Sequence, residues 1–356
     1  AGVGFSVQKH HVAKLPTLQS VTADPCVHQV ADSIEGWADA TDALMQSYFT
    51  GSGRVTFDYT LVRPEGTLIA GQFKAPGHKG LEKSLERIRA LIERRMASPA
   101  FGTDEFAGKL RPIDAYDAIM HIGDSVLSGG IRRSATISLF SHDDAEMMSA
   151  KTGNWFIENP QRGRSNNSVL LLRDKTTWEQ FKAVIESTKQ YGEPGFYWAS
   201  DVEHGCNPCV EIGLYPKTAD GRSGFAWCNL CEINGKSCDT EQRFLDACRA
   251  AAILGTMQAG YTGFKYLTPA TKEIADREAL LGVSITGLMD NPEVLFSPKI
   301  QRAGAKVCKD TNARVAKLLG LNRAARITCT KPSGSTSCVL QTASGIHPHH
   351  ARRYLR

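Results

Sequence analysis

The chain has 356 residues, of which 42% are hydrophobic, 22% charged and 8% aromatic, with a formal net charge of +5. That length exceeds a small zinc module and suffices for one large core, the composition is that of a soluble globular protein, and no apolar run reaches the length of a membrane span. The positive charge suits an anionic ligand such as a nucleotide, but Lys and Arg are interleaved with Asp and Glu, so the charge alone is a weak signal.

From the N-terminus, "GVGFSV" reads as a short β-rich strand. "LEKSLERIRALIERRM" sets Leu81, Leu85, Ile88, Leu91, Ile92 and Met96 at helical spacing, and a further helix is expected over Ile113–Val126. "SGGIRRSA" then pairs Gly129 and Gly130 with Arg132 and Arg133 in a loop before the strand "SATISLF". "NSVLLL" and "GFYWA" are further strands, and several of these runs are apolar throughout, as strands covered on both faces are. Between them "TTWEQFKAVIESTKQYG" predicts an amphipathic helix on Trp178, Phe181, Val184 and Ile185 that stops at Gly192. Helices are also expected over Glu241–Gln258, Lys272–Leu281 and Ser297–Leu319, and a strand at "RITCT". Strands alternating with helices make this an α/β chain with mainly parallel pairing. No repeat or linker divides it, so one domain spanning 1–356 is the simpler reading.

Ten cysteines without a disulfide framework or a secretory signal place the chain in a reducing compartment, the cytoplasm. Four of them, Cys206, Cys209, Cys228 and Cys231, form two C-x-x-C pairs with 18 residues between Cys209 and Cys228, the spacing of a zinc ribbon. The local sequences suit that poorly. Pro208 removes a backbone N–H that a zinc knuckle would aim at sulfur, and bulky Val210 and Glu232 follow the second cysteine of each pair. A zinc-stabilised nucleic-acid-binding protein is therefore the alternative reading, and no metal is expected in the leading one.

The residues suggest other chemistry. Asn207, Cys209 and Glu211 stand at alternate positions, so an extended segment would present an amide, a thiol and a carboxylate on one face. A glutamate beside a thiol in a closed pocket is a reasonable general base. In "TKPSGSTSC" a glycine and several hydroxyls leave backbone N–H groups free to meet an anion. "HPHH" (His347, His349, His350) lacks a sequence-adjacent carboxylate or thiol to complete a metal site.

"NPCVE", then "WCNL", then "KPSGSTS" resemble, in order and spacing, the catalytic subunit of ribonucleotide reductase. "SGGIRRSATISLF", "GVSITGLMD" and "ASGIHPHHARRY" most resemble its adenosylcobalamin-dependent class II enzymes, including compact forms encoded by some phages. The resemblance implies a ten-stranded α/β barrel with a central finger loop. It implies that Cys209 becomes a thiyl radical that removes the 3′ hydrogen of a ribose, that Glu211 takes the 3′-hydroxyl proton, and that Asn207 holds the substrate. Cys228 would be one of two thiols that end as a disulfide. Pro332, Ser333, Gly334, Ser335, Thr336 and Ser337 would bind substrate phosphate, and Gly129, Gly130, Arg132 and Arg133 would sense a deoxynucleotide effector. The cofactor would be adenosylcobalamin, the substrate a ribonucleoside di- or triphosphate, and the reductant a thioredoxin-like protein or small dithiol. Monomer and homodimer are both open.

The other cysteines, Cys26, Cys206, Cys231, Cys238, Cys248, Cys308, Cys329 and Cys338, read as packed residues. The family's second redox cysteine lies upstream of the segment matching "GVGFSV", and its C-terminal relay pair is also unmatched. Segments of the natural chain are therefore expected beyond both ends. The tyrosine pair of class I enzymes is unmatched, with Tyr354 alone, and no glycyl-radical segment of class III is visible.

Overall fold

A computed structural model describes residues 2–69, 73–128 and 134–353. Its contacts divide the chain into two compact units, residues 1–202 and 203–356.

The first unit opens with β1 (Gly2–Ser6) and α1 (Lys9–Val12), then makes a strand–helix–strand unit that the hydrophobic pattern did not announce. β2 (Thr22–Gln29) pairs in parallel with β3 (Gly53–Asp58) across α2 (Ile34–Thr50). Ser33 caps α2 by accepting from Gly36 N, and Gly51 ends it at φ 69°. A short hairpin, β4 (Leu68–Ile69) with β5 (Phe73–Lys74), leads to α3 (Lys79–Met96). The predicted stripe on α3 is the buried one: Leu81, Leu85, Ile88, Leu91 and Ile92 pack against Leu44 and Tyr48 of α2.

α4 (Pro112–Leu127) follows, where Arg111 N donates to Asp114 Oδ2 at the start. β6 (Ala135–Ser141), α5 (Ala145–Met148), α6 (Trp155–Glu158), β7 (Ser165–Leu172), α7 (Trp178–Tyr191) and β8 (Gly195–Ala199) complete the unit. The sheet is wholly parallel in the order β1-β6-β7-β8. β6 and β7 are buried along almost their whole length, the polar Ser138, Asn167 and Ser168 included, as strands covered on both faces are. α7 has the capping box of Thr177 and Gln180 and stops at Gly192, φ 78°. Of its predicted apolar stripe only Val184 is buried, and Trp178 is 68% exposed at the first turn.

The second unit begins with a hairpin, β9 (Gly205–Cys206) antiparallel to β10 (Gly213–Leu214). β11 (Asn229–Asn234), α8 (Glu241–Ala259), α9 (Pro269–Glu278) and β12 (Leu281–Thr286) then form a parallel pair with its crossover. The helix expected over Lys272–Leu281 ends earlier, because Ala279 turns to φ 40° and Leu281 enters β12. After α10 (Pro292–Leu295) and α11 (Pro298–Leu319), the "RITCT" segment makes only a single parallel bridge, Thr328 to Val283, beyond β12. α12 (Ser335–Leu340) is one short turn of helix. α8 and α11 pack closely because residue 304 is glycine: a Cβ there would come within 2.5 Å of Phe244. Among the described residues no helix is long and apolar enough to cross a membrane.

Candidate active site

The segment carrying Asn207, Cys209 and Glu211 is not extended, so the argument from alternation fails. It is the tip of the β9–β10 hairpin, and its own sequence bends it. Pro208 suits the second position of a turn closed by Val210 N donating to Asn207 O at 2.9 Å. Asn207 braces the loop twice: its N–H donates to Ile212 O at 3.3 Å, and its Oδ1 accepts from Ile212 N at 3.0 Å. Val210 is held at φ 68°, a conformation rare for a β-branched residue. The outcome is that Cys209 stands exposed at the apex while Cys206, one turn below, is buried.

Glu211 is the unusual group. Both carboxylate oxygens are buried, and neither has a hydrogen-bond partner among the described residues. Its negative charge raises the pKa of four thiols: Cys206, Cys209, Cys228 and Cys329. Burial is the larger cause in each. It pushes Cys206 and Cys228 up to about 12 and Cys329 up to about 11, and it raises Cys209 as well. These sulfurs remain S–H at neutral pH, the form that donates a hydrogen atom.

Cys228 precedes β11 and turns toward β12. Its sulfur lies 2.8 Å from where a Cβ of Gly282 would sit, and the Cys329 sulfur lies 3.4 Å from the same point. Cys329, expected only to pack, therefore belongs to this group. Cys231 takes the opposite face of β11 and packs with Ile233 and Val283, close beside Gly255 of α8. The four C-x-x-C thiols thus separate between a loop apex, a buried strand and two faces of β11. No set of three or more metal-ligating side chains among the described residues contains a cysteine. The zinc alternative is not supported.

The "KPSGSTS" loop divides into two kinds of residue. Ser333 and Ser337 are buried and engaged internally. Ser333 Oγ donates to Glu232 Oε2 at 3.3 Å and accepts from Ser337 N at 3.1 Å, while Ser337 Oγ donates to Gly334 O at 2.7 Å. Pro332, Gly334, Ser335 and Thr336 form the exposed rim. Two residues that the motifs did not single out join the loop to β11: Lys331 Nζ lies 3.4 Å from Glu232 Oε1. The charge of Glu232 between the apolar Cys231 and Ile233 of that strand is the available signal. His349 approaches Asp290 at 3.4 Å, and His347 and His350 are exposed.

Gly129, Gly130, Arg132 and Arg133 lie outside the described residues. In the same unit a cavity of about 620 Å³ is lined by Trp37, Arg63, Phe73, Lys74, Val126 and Ser128, the last residue described before that loop. Arg63 is itself paired with Asp32 at 2.5 Å.

No protein-family model matches the chain. It is 25% identical over 355 residues to a probable adenosylcobalamin-dependent ribonucleoside-triphosphate reductase of Dictyostelium discoideum, an alignment covering 92% of this chain and 43% of that protein. It is also 25% identical over 431 residues to the adenosylcobalamin-dependent ribonucleoside-triphosphate reductase of Lactobacillus leichmannii, covering 98% and 55%. The chain thus spans about half the length of the curated relatives it matches. Its fold is similar to a crystal structure of a B12-dependent (class II) ribonucleotide reductase, with a TM-score of 0.78 at 20% identity, covering 98% of this chain and 56% of that one. In sequence and in fold, the chain is similar to adenosylcobalamin-dependent, class II ribonucleotide reductases.

Proposed function

We propose that the chain reduces ribonucleotides to 2′-deoxyribonucleotides by radical chemistry at Cys209, with adenosylcobalamin as cofactor. The observation that carries this is Glu211, a carboxylate buried with both oxygens unpaired among the described residues, beside an exposed apical thiol and two further thiols. Such a group has no structural use, and its desolvation is costly unless a ligand completes it. The 3′-hydroxyl of a ribose would do so.

The residues fit the cofactor's chemistry. When bound, adenosylcobalamin supplies a radical that takes a hydrogen atom from a thiol. Cys209 offers a protonated thiol at an exposed apex, and the exposed segment His347–His350 is assigned to the cofactor's side of the site. The Cys209 thiyl removes the C3′ hydrogen, Glu211 accepts the 3′-hydroxyl proton, and the Asn207 NH₂ donates to the substrate. Cys228 and a second thiol become a disulfide as the C2′–OH bond becomes C–H and water leaves. A dithiol protein or small dithiol restores the pair.

The rim of Pro332, Gly334, Ser335 and Thr336 takes the substrate phosphates, with Ser333 and Ser337 shaping the loop. The relatives' names favour a triphosphate. A deoxynucleotide effector is sensed by Gly129, Gly130, Arg132 and Arg133, and the aromatic and cationic lining of the adjoining cavity supports a nucleotide there. A closed ten-stranded α/β barrel around the finger, in one catalytic domain spanning 1–356, belongs to the same proposal. So does a cytoplasmic setting, which suits ten free thiols.

The test is release of tritium to water from 5′-tritiated adenosylcobalamin in the presence of a ribonucleoside triphosphate. Release is expected from the native chain and should vanish in Cys209→Ser. Release that persists in the variant, or fails in a folded native chain that binds nucleotide, overturns the proposal.

A further inference from the structure

β11 and β12 pair with Leu230 opposite Gly282 and Glu232 opposite Ser284. Beyond β12, Cys329 N donates to Val283 O at 3.0 Å, so segment 326–330 runs along its other edge. On one face of this patch the middle strand contributes only the small side chains of Gly282, Ser284 and Thr286. Side chains of the flanking segments lean in over that bare strip, which is how the Cys228 and Cys329 sulfurs come to share the space above Gly282.

Lys331 enters the same patch. Its N–H donates to Ser284 Oγ at 3.2 Å, and its ammonium faces Glu232 at 3.4 Å. The lysine side chain is 18% exposed and the glutamate's 8%, so both charges are largely removed from water. A contact of 3.4 Å is too long for a strong charge-assisted hydrogen bond, and Glu232 is shared with Ser333. Part of the lysine's charge is therefore left to act on its other neighbours, and in so dry a patch that field carries.

We infer that Lys331 is the positioning cation of the thiol cluster: it acts through Cys228, holding the negative charge that appears when that thiol gives up its proton, and Glu232 sets how much of the lysine's charge is available. The groups that bear on Cys228 are Cys329, Glu211 and Cys231, which with burial keep it protonated, and Lys331, which opposes them. The same lysine opposes burial and Glu211 at Cys209 and at Cys329. Its place in the reaction rests on the proposed role of Cys228; its test does not.

The rate at which iodoacetamide alkylates Cys228 in the intact chain, followed by peptide mass across the alkaline range, reads thiolate formation directly. Lys331→Met should slow alkylation severalfold at a given pH, and Lys331→Arg should largely restore it. Glu232→Gln should do the reverse and speed alkylation, because it frees the lysine's charge. If both Lys331→Met and Glu232→Gln speed it, the two residues merely hold the strands closed and the inference is overturned; unchanged rates overturn it equally. Ribonucleotide reduction measured in parallel separates the two readings. Alkylation that shifts as expected in a chain that reduces no nucleotide leaves the cation's role standing and sinks the proposed function, whereas reduction with unshifted alkylation does the opposite.

Discussion

One place in each unit treats a buried charge in the opposite way to the other. In the first, Arg95 is 2% exposed yet fully engaged: it donates to both oxygens of Asp104 at 2.7 and 2.9 Å and to the carbonyls of Lys109 and Phe106. Arg162 clasps Asp117 in the same two-pronged way at 2.9 and 2.7 Å, and Lys151 meets Glu193 at 2.9 Å. In the second unit Glu211 has neither oxygen hydrogen-bonded among the described residues. A charge that is buried and paired holds a structure together; one that is buried and unpaired is a cost the fold carries for a ligand.

The largest expected effect tests that distinction directly. Glu211→Gln should lower ribonucleotide reduction by about 10²–10⁴-fold, the usual contribution of a positioned general base. Its melting temperature should hold or rise, since no bond is lost and a buried charge is removed. A variant that melts lower but turns over normally would make Glu211 an ordinary structural residue. Arg95→Met is the mirror experiment. It strands Asp104 and two carbonyls, so a loss of about 3–5 kcal/mol is expected in denaturant unfolding.

Legibility in the sequence follows the range of the interactions involved. α3, α7 and α11 were readable because apolar spacing and end signals such as Thr177 and Gly192 are local. α2 was passed over although Ser33 and Gly51 mark its ends, because its flanking strands are largely polar: β2 leaves Val27 exposed and is bulged between Thr22 and Pro25. The strand beginning at Leu281 is not marked off from the helix expected over Lys272–Leu281, because a short apolar stretch has no period of its own. At the site, side-chain chemistry singled out Asn207, Cys209 and Glu211, but their conformation depends on a turn that Pro208 and Val210 impose. Cys329, Lys331 and Glu232 could not be grouped at all, because they meet only through the register of β11, β12 and the segment beyond.

A smaller effect comes from the thiols. The first unit has one cysteine, the exposed Cys26, whereas the second holds Cys228 and Cys329 protonated up to about 12 and about 11. Unfolded, both would ionise near the ordinary thiol value of about 8.5. Above that pH the unfolded chain has released protons that the native chain keeps, so stability falls as pH rises through the window up to about 11, and these groups contribute no slope below it. Unfolding measured at pH 7.5 and pH 10 should show the loss. Replacing both cysteines with alanine should reduce the slope, leaving what Cys206 and the other raised thiols contribute, and an unchanged slope would assign it to other groups.

The smallest effect concerns the finger itself. Val210 at φ 68° stores backbone strain at the tip of a two-bond hairpin, where a glycine would not. Val210→Gly should therefore stabilise the folded chain by up to about 1 kcal/mol, less whatever entropy the added glycine gives the unfolded state. If the strain serves only to complete the turn, tritium exchange at Cys209 should survive the change. If instead the strained valine fixes the apex, the relaxed loop will sample more conformations and exchange will fall while stability rises. That split, a gain in folding against a loss in radical transfer, is what a site held ready by its scaffold predicts, and it has no counterpart in the first unit, where relieving a buried arginine of its partners can only destabilise.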